Sequence, residues 1–342
     1  MPEMLPAGKL PNELLAALLA RYVKSSPRVV VPPGVGRDAA VIDFGDRYLV
    51  AKADPITFAT DEAAWYLVNV NANDIATTGA TPLWLLCTAL LPAGKADAAS
   101  VEQLFASLNS ACSELEIALC GGHTEVTTAV VQPVLVGLML GEVAKDKLIR
   151  SDGARPGDAI ILTKGIAIEG TALLARELGW LLGSRVQPGT LERARLFLRE
   201  PGISVVRDAR LALQAGEVHA MHDPTEGGLA TALAEMAAAS GLGVRIQEQA
   251  VRILPETSAI CSALGLDPWG TLASGALLIA CVPSQAPAIV AALNAAGIWA
   301  AIIGEFTAQR ELLVLGTDGR ERPLPTFARD EVARLLESLA TR

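Results

Sequence analysis

No apolar run in this chain is long. Stretches such as residues 130–140 and 276–282 end at glycine, proline or polar residues, well short of the roughly 20 residues that cross a bilayer. Short runs bounded in this way suit strands covered on both faces, so the fold must supply packing layers on either side of a sheet. The 51% hydrophobic content is accordingly expected to be core, with no membrane association. The opening MPEMLPAGKLPNELL has neither a basic leader nor an apolar stretch followed by a small-residue cleavage site, which predicts a cytoplasmic location. A net charge of -9 with scattered lysines and arginines leaves no basic stripe for a nucleic-acid backbone. Cys87, Cys112, Cys120, Cys261 and Cys281 lack CxxC spacing, which argues against a zinc cluster or disulfide scaffold.

Local signals predict alternating helices and strands. The first part of the chain should hold a helix over residues 10–22 and strands at 39–43 and 48–52 turning at Gly45-Asp46. A helix over 61–78 should be capped by Thr60, with Asp61 and Glu62 in its first turn. Next come a strand at 81–91, a helix at 98–115, a short strand at 116–119, and a long strand or bent pair at 127–143. The turn-rich SDGARPGD at 151–158 marks a seam. Beyond it, strands are expected at 159–163, 218–221, 275–282, 300–306 and 311–315. Helices are expected at 170–178, 205–215, 225–239, 287–296 and 330–342. The parse is two mixed α/β domains, residues 1–150 and 151–342.

Five polar clusters interrupt this apolar frame. Gly34-Val35-Gly36-Arg37-Asp38 leads into a strand. It reads either as a plain turn or as a close backbone approach to phosphate, with Arg37 and Asp38 on the anion and its cation. Asp54 ends an apolar strand, as a turn cap or a metal ligand. Asn69 and Asn73, four apart with Asp74 beside them, share a helix face; they form either an internal hydrogen-bond network or an oxygen-rich face for a metal triphosphate. Gly121-Gly122-His123-Thr124-Glu125 forms a loop between two strands, with His123 and Glu125 as ligands, acid–base groups or structural residues. His222-Asp223-Pro224-Thr225-Glu226-Gly227-Gly228 opens a helix whose free N–H groups favour an anion, with Asp223 placed to tether a metal. Together the clusters offer the oxygen ligands and backbone donors that a magnesium nucleotide requires.

Taken in order, Gly36-Arg37-Asp38-Ala39-Ala40-Val41, Asp54, Val70-Asn71-Ala72-Asn73-Asp74-Ile75-Ala76, Gly122-His123-Thr124-Glu125 and Asp223-Pro224-Thr225-Glu226-Gly227-Gly228-Leu229 make a pattern. It resembles the aminoimidazole ribonucleotide synthetase superfamily, which includes thiamine-monophosphate kinase, selenophosphate synthetase and the hydrogenase maturation factor HypE. The run from Asp223 through Gly241, Leu264-Gly265-Leu266-Asp267 and Ile303-Gly304-Glu305 looks most like the HypE branch. The resemblance implies an α/β (α+β) two-domain fold whose N-terminal domain forms a β-barrel across a homodimer, with ATP in the cleft between domains. By the same resemblance Asp38, Asp54, Asp74 and Asp223 hold Mg2+, with Asn73 supporting that shell. Gly36, Arg37, Gly121, Gly122, Thr124 and Thr225 approach the nucleotide, and residues 165–170 with Ser274-Gly275 line the second side. His123 and Glu125 are the catalytic candidates.

The pattern also departs from the branch. His123 stands where HypE has Asp, Glu226 where it has Arg, and Ala273-Ser274-Gly275 where it has an Asn-Glu-Gly-like segment. The sequence ends Ser338-Leu339-Ala340-Thr341-Arg342 without the HypE-type terminal cysteine. The expected function is ATP- and Mg2+-dependent activation of an oxygen on an unidentified small-molecule or protein substrate. The alternatives are a non-catalytic nucleotide-binding partner in a maturation complex, or a small-molecule kinase or synthetase of the same superfamily.

Overall fold

The structure is a computed structural model describing residues 5, 10–24, 26–34, 36–57 and 61–340. Thr60, expected as a helix cap, lies outside the described residues. So do Val35 of the glycine turn, residues 1–4 and 6–9 of the opening stretch, and Thr341 and Arg342. Among the described residues no helix is long and apolar enough to cross a membrane.

The first half contains α1 (Asn12–Tyr22), β1 (Val29–Val31), β2 (Ala40–Asp43), β3 (Arg47–Ile56), α2 (Ala63–Thr77), β4 (Thr81–Pro92), α3 (Ala98–Glu114), β5 (Ala118–Thr127) and β6 (Val134–Ala144). Its sheet runs β1-β2-β3-β6-β4-β5, antiparallel except for the parallel β4–β5 pair. The second half contains β7 (Ala159–Thr163), α4 (Ile168–Glu177), α5 (Gly179–Leu182), α6 (Thr190–Arg195), α7 (Val206–Ala215), β8 (Val218–His222), α8 (Gly228–Ser240), β9 (Gly243–Gln247), α9 (Pro255–Leu264), β10 (Leu278–Cys281), α10 (Ala286–Ala295), β11 (Ala300–Thr307), β12 (Leu312–Leu315), β13 (Glu321–Pro323) and α11 (Glu331–Ala340). The order of its sheet is β13-β12-β9-β11-β7-β10-β8. The chain is thus a mixed α/β protein built on two sheets.

The central strands of the second sheet are covered on both faces, as their composition predicts. On β7, Ile160 and Leu162 join the core beneath α8 with Leu229 and Leu233. Ile161 points the other way, into the core of α7 and α10 with Ala209, Ala212 and Ile289. Strand β10 divides in the same manner: Leu278 and Ala280 go to one core, Ile279 and Cys281 to the other.

Strand β6 departs from that expectation. It starts at Val134 and buries one face only, through Leu135, Met139 and Val143. Val136 and Leu140 on the second face are half-buried and Leu138 is 38% exposed, because α2 packs on the first face. The strand expected at 116–119 instead runs on to Thr127. Residues 121–125 are therefore strand and not loop.

Helix α2 is the centrepiece, with 13 of its 15 residues buried. It lies close on β6 because that strand offers glycines under it. A Cβ at Gly141 would come within 2.4 Å of Ile75 Cγ2 and 2.5 Å of the Thr81 carbonyl, and one at Gly137 within 2.9 Å of Asn71 Nδ2. The same helix reaches the second half: the Trp65 indole N–H donates to the Leu198 carbonyl at 2.9 Å, and the Arg199 guanidinium stacks 3.6 Å from the Trp65 ring centre. One apolar core consequently includes Leu67 and Ile75 together with Ile168, Leu198 and Ile203. Asp61 and Glu62, expected in the first helical turn, precede it; Glu62 is left-handed at φ 55. They pair instead with Arg176 and Arg199 across the seam.

Overpacking a site of this kind costs about 1–3 kcal/mol. Gly141→Ala should therefore lower the urea midpoint by a corresponding amount with an unchanged slope. A wild-type midpoint would show that α2 does not rest on this glycine.

Candidate functional site

The face of β3 that buries Val50 carries Lys52 and Asp54 at the next two alternate positions, so both point toward α2. The Lys52 ammonium lies 3.2 Å from Asp54 Oδ2 and 3.0 Å from Asp74 Oδ2 on α2. Asn71, one turn before Asp74, keeps strand and helix in register. Its Oδ1 accepts the Asp54 N–H at 3.0 Å and its Nδ2 donates to the Leu67 carbonyl at 2.9 Å. Asp38 arrives from the turn before β2, and His222 and Asp223 from the end of β8. His222 Nδ1 lies 3.2 Å from Asp38 Oδ2, and its Nε2 lies 3.0 Å from Glu235 Oε2 on α8. One ligand atom from each of Asp38, His222 and Asp223 falls within 4.8 Å of the others.

The electrostatics are those of a cation site. Burial, then the nearby Asp223 charge, raises the Asp74 carboxyl well above the usual carboxylate range. Burial and Asp38 push Asp223 up to about 7. Burial would lower the Lys52 ammonium, but Asp74, Asp54 and Asp38 together outweigh it and hold its pKa high. His222 behaves alike: burial disfavours its charge, and Asp38 and Glu235 more than restore it. Among the described residues, both Asp223 carboxylate oxygens are buried without a hydrogen-bond partner. A buried carboxylate with no donor is costly. Oxygen donors of this number suit Mg2+, so the residues present fit the expected ion.

Asp38, Asp54, Asp74 and Asp223 are thus brought together, although 185 positions separate the first from the last. Other expected site residues have different partners. Asn73 lies beside this group but uses both amide atoms on the second half, donating to the Ile203 carbonyl and accepting the Val205 N–H, each at 2.8 Å. Arg37, on the exposed side of the Gly36 turn, donates to the Pro32 carbonyl at 3.0 Å. The helix expected at 225–239 begins at Gly228, and two of the N–H groups at its entry are already bonded. Gly227 N–H donates to Asp330 Oδ2 at 2.8 Å and Gly228 N–H to the Thr225 carbonyl at 3.1 Å. In the 165–170 segment, Glu169 N–H reaches the Ser274 carbonyl and Gly170 N–H that of Leu272.

Gly121, Gly122, His123, Thr124 and Glu125 form part of β5, an edge strand paired only to β4. Gly122 has φ +142, and a Cβ there would lie 1.9 Å from the Cys87 carbonyl oxygen. The glycine pair serves a register shift between the strands. His123 and Glu125 are exposed and 3.4 Å apart. Among the described residues no hydrogen bond or ion pair joins them to the acidic group.

Lys52, Asn71, His222 and Glu235 escape assignment from sequence as site residues. The available signal was a lysine two positions before Asp54 in an apolar strand, where alternation forces both side chains to one face.

Residues 36–143 match the model of the AIR synthase related protein N-terminal domain, and residues 155–315 that of its C-terminal domain. A protein of Methanocaldococcus jannaschii named for hydrogenase expression and formation is 30% identical over 323 residues, covering 91% of both chains. Carbamoyl dehydratase HypE of Rhizobium leguminosarum bv. viciae is 31% identical over 273 residues, 79% of this chain and 74% of the relative. A crystal structure of hydrogenase maturation protein HypE in complex with ATP superimposes with a TM-score of 0.72 at 25% identity, over 95% of this chain and 97% of that one.

Two stability outcomes follow. Asp223→Asn removes an uncompensated buried charge and should stabilise the metal-free protein at pH 8 by about 1–3 kcal/mol in urea denaturation; a destabilised variant would mean that the carboxylate has a partner. Burial pushes Glu169 up to about 7. Its folded pKa exceeds the unfolded one, so ionisation opposes folding and stability falls as pH rises from about 4.5 to 7. Glu169→Gln should flatten that decline by about 1–3 kcal/mol, measured by unfolding at pH 5 and pH 8; an unchanged slope would locate the titration elsewhere.

Proposed function

This chain belongs to the AIR synthase-related family, and on that premise we propose that it is an ATP- and Mg2+-dependent enzyme that transfers a phosphoryl group to an oxygen of a second substrate. The observation that carries the reading is the convergence of Asp38, Asp54, Asp74 and Asp223 with both Asp223 oxygens buried and unpartnered. The relatives' names support an amide-like or carbamoyl oxygen as the acceptor class, and the ATP complex of the HypE neighbour supports the nucleotide.

Asp38, Asp54, Asp74 and Asp223 would hold the ion. When bound, magnesium neutralises phosphate charge and orients the triphosphate. The protein supplies positioning. Lys52 keeps the Asp54 and Asp74 carboxylates fixed against each other, and Asn71 holds the strand that carries Asp54. Asn73 ties α2 to residues 203–205. The γ-phosphoryl bond to ADP breaks as the bond to the substrate oxygen forms. Fixed geometry and charge neutralisation are the main sources of rate in such a transfer.

The working form is proposed to be a homodimer. Eight of the ten β5 residues are exposed along the sheet edge, and the outward face of the same sheet carries Leu86, Leu90, Val136 and Leu138 half-buried or exposed. An uncovered edge beside apolar side chains is a template for a second copy. An acid–base role for His123 and Glu125 requires that second copy, because they stand on this edge.

Calorimetric titration with a non-hydrolysable ATP analogue tests the reading. Binding near one per chain that depends on Mg2+ is expected, and Asp54→Ala should abolish metal-dependent ATP turnover. No binding with or without Mg2+ would overturn the assignment. ATP held but never consumed would favour a regulatory nucleotide over a substrate.

A further inference from the structure

The sequence contains three histidines, and His222 alone enters the acidic cleft, 6% exposed at the end of β8. Its two ring nitrogens face different surroundings. Nε2 meets Glu235 Oε2 at 3.0 Å, on the side away from the cleft, and Nδ1 meets Asp38 Oδ2 at 3.2 Å. With a carboxylate on each nitrogen the metal-free ring is held charged; once the Nδ1 proton shared with Asp38 is lost, Glu235 on Nε2–H leaves the Nδ1 lone pair for an ion, the usual arrangement around a metal-bound histidine. Nδ1 faces Asp38, and one ligand atom from each of His222, Asp38 and Asp223 lies within 4.8 Å of the others. The 3.2 Å between Nδ1 and Asp38 Oδ2 is a spacing that metal–ligand bonds of about 2.0–2.2 Å can bridge.

An independent observation points to the same place. Asp223 is 1% exposed, and among the described residues neither of its oxygens accepts a hydrogen bond. Asp74 and Asp54, on the opposite bank, already have the Lys52 ammonium. The unmet acceptor capacity is therefore concentrated beside His222. Mg2+ takes oxygen ligands almost exclusively, whereas imidazole suits the later first-row ions.

We propose that Asp38, His222 and Asp223 form a mixed nitrogen–oxygen site for a first-row transition-metal dication, with His222 Nδ1 as ligand and Glu235 as the residue that orients the ring. This deepens the reading of the cleft given above by naming a class of ion that the four aspartates alone would not select. Binding of the ion displaces whatever proton Nδ1 carries, and Nε2–H remains donated to Glu235.

The test uses the full chain without nucleotide. Calorimetry with Co2+ and with Mg2+ gives stoichiometry and relative affinity, and pulsed EPR of the Mn2+-loaded protein reports nitrogen bonded to the ion. One Co2+ per chain and a clear nitrogen coupling are expected. His222→Gln should abolish the coupling and weaken Co2+ by about tenfold or more while leaving Mg2+ within about threefold; Glu235→Gln should keep the coupling and weaken Co2+ by about tenfold. Absence of nitrogen coupling in the wild-type protein overturns the proposal, as does an equal loss of Co2+ and Mg2+ in His222→Gln. Should that variant not fold, by circular dichroism, the wild-type spectrum decides alone. ATP-analogue binding with Mg2+, measured on the same preparation, separates the two readings. Nucleotide binding without nitrogen coupling removes the metal assignment only, and nitrogen coupling without nucleotide binding removes the phosphoryl-transfer reading only.

Discussion

The Lys52 ammonium stands between Asp54 at 3.2 Å and Asp74 at 3.0 Å, beneath a helix buried on nearly every side. Most of what the cleft contains follows from this contact. A buried Asp74 without a cation would be strongly disfavoured, and the pair can form only if β3 and α2 are in one particular register. Asn71 enforces that register on the backbone of Asp54, and the glycines of β6 let the helix come close enough for it to act. Asn73, two residues further on, carries the same constraint into the second half. Asn71, Asn73 and Asp74, residues of types that disfavour a helix interior, are thereby each matched to a partner outside the helix.

The pairing is incomplete. Asp38, Asp54, Asp74 and Asp223 face Lys52 and His222, and among the described residues the Asp223 carboxylate has no hydrogen-bond partner. Natural cores rarely leave such groups unsatisfied except where a ligand completes them. The unfavourable charge is tolerated because the surrounding structure is over-determined: Trp65, Arg199 and the ion pairs of Asp61 and Glu62 hold the seam. Stability lost at the cleft is offset by packing around it, a pattern common at sites that bind charged ligands.

Much of the frame is legible without coordinates. The apolar run at 276–282 reads as a strand with two covered faces, and β10 is such a strand. The same reading fails for β6, because an apolar second face can equally be left for a partner, and composition does not distinguish the two. The acidic turns before β2 and after β8 and the Asn-rich α2 are also recognisable as unusual. Residues 121–125 are misjudged as loop, since paired glycines usually mark turns, whereas here they admit the β4 backbone at a register shift. The N–H groups before α8 look free from sequence, yet Asp330, about a hundred positions away, occupies one of them.

The amino-acid sequence by itself determined the alternation of helix and strand, the two-sheet α/β class and the family order of its acidic motifs. These depend on neighbours a few positions apart, through side-chain period and turn chemistry. Only the tertiary structure decided which of those residues meet. Asp38, Lys52, Asp74 and Asp223 converge because α2 packs down on β6 and joins the second half at residues 203–205. His123 and Glu125 are left on an open edge by the same packing. Ion pairing and burial act through space, and the distances that govern them are set by how helix and sheet layers stack.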